Sequence, residues 1–184
     1  MISALDKANK QVRKMTSMIN GFLNISRLES GKIVLNKSVF RIDELLENVI
    51  EEASLLDASH RISYAEPVQI EIFADQDKIA NVISNLLSNA VKYSPENKDI
   101  QVRSVFVNGT VQISVTDYGM GIQASDIEKL FERYYRVENN NIISGFGIGL
   151  YLSAEIIARH NGKIWVESKP NEGSTFYFTI PLNT

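Results

Sequence analysis

The chain has 184 residues, 44% of them apolar, with no cysteine, which suits one globular domain with an appended element and excludes disulfides, thiolate metal sites and thiol nucleophiles. The net charge of −3 is uneven, with six Lys/Arg against two acids in residues 1–34 and thirteen against twenty in 35–184, and so acidic a body excludes general nucleic-acid binding. No apolar run approaches the roughly 20 residues that span a bilayer and no signal peptide opens the chain, so a cytoplasmic domain is expected, although a longer parent could carry a membrane anchor.

Residues 9–30 place Val12, Met15, Ile19, Phe22 and Leu28 near helical spacing, and Gly31 is a natural stop. This helix either packs on its own domain or forms one arm of a helical dimer, its basic side chains making a solvated face. After a short strand around Val39–Ile42, "IDELLENVIEEASLLDA" reads as a second amphipathic helix with Asp43 as its cap. "HRISYAEP" and "QIEIFA" alternate as a strand pair with Pro67 at the turn. A long helix starts near Asp75 and stops before Pro95.

"DIQVRSVFVNGTVQISVTDYG" is a hairpin turning at Asn108-Gly109. A short helix over 124–131 follows, then an Asn-rich loop over 134–146 without periodicity. A helix opening on "SGFGIGL" and a last strand pair, "GKIWVES" and "STFYFTIPL", complete the chain. Strands and helices mix without βαβ alternation. The expected fold is α+β, a two-layer sandwich of a mixed, mainly antiparallel sheet covered on one face by about three helices and preceded by an N-terminal helix.

Three features carry chemistry. Gly145, Gly147 and Gly149 fall on alternate positions before a helix. Such glycines let a backbone approach a phosphate at a helix N-terminus, or form a mobile hinge or a helix-leading turn. A dinucleotide fingerprint fails because a polar loop precedes them, and a P-loop fails because Gly-Leu-Tyr stands where Gly-Lys-Ser/Thr is needed.

In the long helix, Ile79, Val82, Ile83, Leu86, Leu87, Ala90 and Val91 form an apolar face, and Asn81, Asn85, Asn89 and Lys92 a polar stripe on the opposite side. Asparagine is a poor helix former, so three of them suggest ligand work. A carboxamide oxygen suits Mg²⁺ bound together with phosphates, and Lys92 could hold phosphate charge. Asp117, at the end of the hairpin in "TDYGMGI", either caps a turn or accepts a hydrogen bond from an exocyclic amine, with Gly119 and Gly121 letting the backbone approach a flat group.

The order of these features resembles the ATP-binding domain of sensor histidine kinases, in the superfamily of gyrase, heat-shock-chaperone and mismatch-repair ATPases. "NLLSNAVKYSP" resembles the family's N box, "DYGMGI" its first glycine box, "FERYYR" its F box, "GFGIGL" its second glycine box and "EGSTF" the terminal one. The resemblance covers about residue 35 to the end and implies a Bergerat-type fold binding ATP with Mg²⁺. It implies Asn89 as the Mg²⁺ ligand, Asn85 facing the reacting phosphate, and Lys92 and Tyr93 contacting phosphate and ribose or adenine. Asp117 would read the adenine amine in a pocket lined by Gly119, Gly121, Ile122 and Thr175. Gly145, Gly147, Gly149 and Leu150 would close over the phosphates as a lid, with Arg136 adding charge. Asn81 falls outside the pattern.

The implied reaction is transfer of the γ-phosphoryl group to a histidine, with Asn85 and Lys92 as the catalytic pair. Its partners would be a helical phosphoacceptor domain, a response-regulator receiver domain and a second copy of the full-length kinase. Residues 1–34 resemble the remnant of the second dimerisation helix and its linker, and residues 35–184 the catalytic domain. The acceptor helix is absent. His60 opens a strand, and His160 sits at a helix C-terminus, where a partly charged imidazole caps the dipole. Neither suits an acceptor, so the chain reads as a fragment unable to phosphorylate itself. The alternatives are a nucleotide-binding regulatory module without kinase activity and a serine kinase of the same superfamily.

Overall fold

The computed structural model describes residues 12, 34–56, 59–65, 67–95, 98–137 and 147–182. It divides the chain into two units, Met1–Val34 and Leu35–Thr184. Apart from Val12, the helix expected over 9–30 lies outside the described residues, as does the loop beyond residue 137, including Gly145.

In chain order the second unit runs β1 (Ser38–Arg41), α1 (Ile42–Leu56), β2 (Arg61–Ala65), β3 (Glu71–Ala74), α2 (Gln76–Tyr93), β4 (Asp99–Val107), β5 (Thr110–Asp117), α3 (Ala124–Ile127), α4 (Gly149–Arg159), β6 (Ile164–Lys169) and β7 (Gly173–Pro181). Five strands form one sheet in the order β2-β4-β5-β7-β6, and β1 and β3 form a separate two-stranded ribbon. Among the described residues only β2 and β4 pair in parallel; the other neighbours are antiparallel. This is the mixed, mainly antiparallel α+β sandwich expected.

Period-two alternation explains why the sheet has one dry face. Val111, Ile113 and Val115 of β5 lie opposite Ile180, Phe178 and Phe176 of β7, and all six are buried. The intervening residues of β7, Thr175, Tyr177 and Thr179, are only half-buried on the other face, where Tyr177 stacks on Trp165 at 5.0 Å. The helices cover the dry face: α2 packs on β4 and β5 between α1 and α4, α1 reaches β2, and α4 reaches β6 and β7. Ile79, Val82, Ile83, Leu86 and Leu87 of α2 are 0–1% exposed, so this helix is the centre of the core.

Caps and turns set the boundaries. Asp75 is the N-cap of α2, its carboxylate accepting the Lys78 N–H at 3.1 Å, and Ser94 ends the helix one residue before Pro95. Asn108 (φ 49°) and Gly109 (φ 75°) both adopt the left-handed conformation that a two-residue hairpin turn requires.

Four expectations are corrected. Ile42 opens α1 rather than closing β1. Asp43 lies inside the first turn of α1, bound by Arg41, and is not its cap. β2 and β3 do not pair with each other: Arg61 of β2 stands beside Asp99 of β4, and Glu71 of β3 beside Arg41 of β1. The helix expected over 124–131 is α-helical only to Ile127 and continues as three-residue turns, Lys129 N–H to the Asp126 carbonyl and Glu132 N–H to the Lys129 carbonyl.

Candidate functional site

The polar stripe on α2 is not simply opposite the core. Asn81 is exposed, whereas Asn85, Asn89 and Lys92 are half-buried. Each step of four residues advances about 40° around a helix, so the stripe turns from solvent at Asn81 toward the edge of the packed face at Asn89. There it meets α4. Asn85 Nδ2 donates to Ser153 Oγ at 3.0 Å. Gly149, the first residue of α4, approaches so closely that a Cβ there would lie 2.3 Å from Asn85 Oδ1.

Further along the helix, Lys92 Nζ donates to Tyr93 Oη at 3.2 Å and lies 4.7 Å from the Tyr93 ring centre. Tyr93 is 37% exposed. Its carbonyl adjoins Gly119, where a Cβ would stand 2.3 Å from it. The end of α2 and the end of β5 are therefore in contact, which brings Asp117 to the same rim.

Asp117 is 4% exposed. Its Oδ1 accepts the Gly119 N–H at 2.8 Å. Burial pushes its carboxyl pKa up, against the backbone N–H groups of Gly119 and Ser174, which favour the charged form. Among the described residues no Lys or Arg forms an ion pair with it. Beside it in the β5–β7 register, Thr175 Oγ1 bonds Thr116 Oγ1 at 3.0 Å. Two backbone N–H groups thus meet this carboxylate, and among the described residues no cation does.

The glycines of "DYGMGI" approach their own chain on the side a Cβ would take. Gly121 has φ +66° and sits against the Lys169 carbonyl, where a Cβ would be 1.9 Å away. The next residue, Ile122, is half-buried and donates its N–H to Ser168 Oγ at 2.9 Å, so this loop is fastened to the β6–β7 turn. Gly147, at φ +67°, accepts the Tyr134 N–H at 3.0 Å. Leu150 packs half-buried against the core, and Arg136 is exposed. The sites gathered around α2 are thus Asn85, Asn89, Lys92, Tyr93, Gly149, Gly119 and Asp117.

Two features escaped the sequence reading. Ser153 carried no signal, because its bond to Asn85 spans 68 residues. His160 is a correction: it is 4% exposed, with Nδ1–H donating to the Ile156 carbonyl at 2.8 Å and Nε2 accepting the Asp75 N–H at 2.9 Å. Burial lowers its pKa, so it is a neutral bridge between two helices and no charged dipole cap. His60 engages Ser59 Oγ at 2.9 Å and the Pro95 carbonyl at 3.1 Å through its two ring nitrogens.

Among the described residues no three His, Cys, Asp or Glu side chains cluster as a metal site. The neutral Asn89 carboxamide, half-buried on the rim, fits a divalent ion that arrives with phosphate oxygens rather than one held in a protein cage. Among the described residues no helix is long and apolar enough to cross a membrane.

Comparison with known proteins supports this fold. The adaptive-response sensory kinase SasA of Synechocystis sp. is 36% identical over 182 residues, covering 97% of this chain and 48% of the relative; the chain spans about half the length of the relatives it matches. Full-length ShkA, solved in complex with AMPPNP, superposes with a TM-score of 0.83 at 26% identity, over 98% of this chain and 38% of that one. The catalytic domain of histidine kinase ThkA gives a TM-score of 0.67 at 28% identity, over 80% and 96%. Residues 74–184, which hold α2, Asp117 and the start of α4, match the family model of histidine kinase-, DNA gyrase B- and HSP90-like ATPases, and the chain belongs to that family.

Proposed function

We propose that Leu35–Thr184 is the ATP-binding catalytic domain of a two-component sensor histidine kinase, transferring the γ-phosphoryl group of ATP to a histidine on a helical dimerisation domain. The observation that carries this reading is Asp117: a carboxylate 4% exposed, at a strand end, without an ion-pair partner among the described residues. Such a group favours a ligand that brings a hydrogen-bond donor, as the adenine amine does, and disfavours one that brings a carbonyl. The half-buried Asn85, Asn89 and Lys92 then run along α2 in the direction the phosphates would take, toward the N-terminus of α4.

In this reading Asp117 and Thr175 select the base, with Gly119, Gly121 and Ile122 shaping the wall, and Tyr93 lies against base or ribose. Lys92 neutralises phosphate charge, and Asn85 orients the γ-phosphoryl group. Gly147 and Leu150, with Gly145 and Arg136, belong to a lid over the phosphates, and Gly149 opens the helix that carries it. Asn89 would hold Mg²⁺, which when bound draws charge from the phosphate oxygens. An imidazole nitrogen of the acceptor attacks the γ-phosphorus, the bond to the bridging oxygen breaks, and ADP leaves. The protein contributes position and charge neutralisation.

The sequence of residues 1–34 resembles a dimerisation helix and its linker, which favours a histidine acceptor over a serine. The whole kinase would then act as a homodimer in the cytoplasm and pass the group to a receiver domain. The test is incubation with labelled ATP and a separate helical domain carrying the acceptor His. Acid-labile, base-stable label on the added domain, and none on this chain, is expected. Acid-stable label on serine would replace the reading with a serine kinase, and binding without transfer would replace it with a regulatory module.

A further inference from the structure

The contacts between α4 and α2 give two residues a role distinct from touching nucleotide. Gly149 and Ser153 are one helical turn apart on α4 and so share a face. Both meet the same carboxamide. Ser153 Oγ accepts from Asn85 Nδ2 at 3.0 Å. A Cβ on Gly149 would lie 2.3 Å from Asn85 Oδ1, 3.0 Å from Cγ and 3.1 Å from Nδ2. The amide thus lies against α4 with its nitrogen on the hydroxyl and its oxygen over the glycine.

An asparagine amide has two faces of opposite chemistry, donors on nitrogen and lone pairs on oxygen, exchanged by a half-turn of the side chain. A residue that must meet a phosphate needs its side chain held in place. Ser153, 2% exposed, supplies a hydroxyl that binds the amide. Gly149 supplies the space that lets the amide lie down, and this requirement is steric: its contact is with Asn85, and its backbone is ordinary helix.

We infer that Ser153 and Gly149 are positioning residues that fix the Asn85 carboxamide for the reacting phosphate, so that docking of α4 presets one of the catalytic groups on α2. This rests on the assignment of Asn85 to the γ-phosphoryl group made above. It also gives the third glycine of "GFGIGL" a function that needs no contact with nucleotide.

The test uses the full chain and compares Mg-ATP with Mg-ADP by calorimetry in Asn85→Ala, Ser153→Ala, Gly149→Ala and the two double variants containing Asn85→Ala. Alanine raises helix propensity at positions 149 and 153, and near-UV circular dichroism checks that each variant is folded. Ser153→Ala should weaken Mg-ATP about fivefold, the worth of one hydrogen bond, with Mg-ADP nearly unchanged. Gly149→Ala should weaken Mg-ATP about tenfold, because its Cβ displaces the amide. In the Asn85→Ala background neither change should matter, since residues acting through one partner are not additive.

A loss from Gly149→Ala or Ser153→Ala that persists in the Asn85→Ala background would overturn the inference, placing these residues against the nucleotide or in plain helix packing. No loss in Ser153→Ala, where Asn85→Ala does discriminate, would overturn it while sparing the function of Asn85. Equal ATP-to-ADP preference in Asn85→Ala and the unaltered chain would remove both the phosphate role of Asn85 and the inference built on it.

Discussion

The two ends of α2 are finished in opposite ways. At the N-terminal end Asp75 uses both carboxylate oxygens, one on the Lys78 N–H at 3.1 Å and one on the Asn36 N–H at 2.8 Å, while its own N–H goes to His160. Asp75 and His160 are 5% and 4% exposed. At the C-terminal end Lys92 and Tyr93 hold each other at the surface, and the neighbouring Asp117 is buried with its pKa pushed up by desolvation. A satisfied buried polar group steadies a fold, and an under-satisfied one stores binding preference. Substitutions at the first end should therefore move stability, and substitutions at the second should move ligand affinity.

The largest effect should come from Asp117→Asn. The amide keeps an oxygen for the Gly119 N–H but loses the charge that favours an exocyclic amine, so ATP affinity should fall about a hundredfold. Because the folded carboxyl pKa is raised, the folded protein holds that proton more tightly than the unfolded chain, and the ionised group opposes folding at neutral pH. The variant should accordingly melt no lower than the parent. A large drop in melting temperature with affinity intact would erase the contrast.

Asn89→Ala should weaken nucleotide about tenfold in the presence of Mg²⁺, since it removes an oxygen from a cation with strict geometry. With the ion chelated, the variant and the parent should bind ATP alike. Equal Mg²⁺ dependence of the two calorimetric titrations would remove Asn89 from the metal site.

At the other end, Asp75→Ala should cost about 1 kcal/mol through the lost cap, a fall of a few degrees in melting temperature for a domain of this size. ATP affinity measured well below the transition should stay the same. A change in affinity would show that the capped end reaches the site.

The smallest effect is pH-dependent. Burial lowers the His160 pKa from its ordinary 6.5, aided by Lys37 and opposed by the Ile156 carbonyl and Asp75. Its contribution is then fully present above pH 6.5 and is lost as the pH falls from there toward the lower folded value, because the unfolded chain takes up the proton first. His160→Gln can still accept the Asp75 N–H but does not titrate. Its melting temperature should decline less than the parent's between neutral pH and pH 5, and parallel declines would show that other groups dominate.

What the sequence made legible divides along the same line of locality. The core face of α2, its cap at Asp75 and the Asn108-Gly109 hairpin depend on residues within a few positions of each other, and their chemistry reads directly. Alternation around Pro67 shows that 61–65 and 71–74 are strands but carries no record of partner. β2 joins β4 across the whole of α2, and β3 joins β1 across α1. In the site, Asn85, Asn89 and Asp117 stand out by residue type. Ser153 does not, because serine in a helix has many reasons to be there and only α4 docking on α2 gives it Asn85. The glycines were legible as close approaches, while what they approach, a carbonyl of Lys169 or the amide of Asn85, is a tertiary fact.

The Asp75 junction also has a kinetic consequence. Its bonds to Asn36 and His160 close chain separations of 39 and 85 residues, so the first waits on β1 pairing with β3 and the second on α4 reaching the start of α2. Loop-closure entropy delays such contacts, and interactions made after the folding barrier act on escape from the native state rather than on arrival. The junction is therefore a latch on unfolding: it sets how long the nucleotide-binding domain persists once formed, while the rate at which it first assembles is left to the local hairpin and the apolar face of α2.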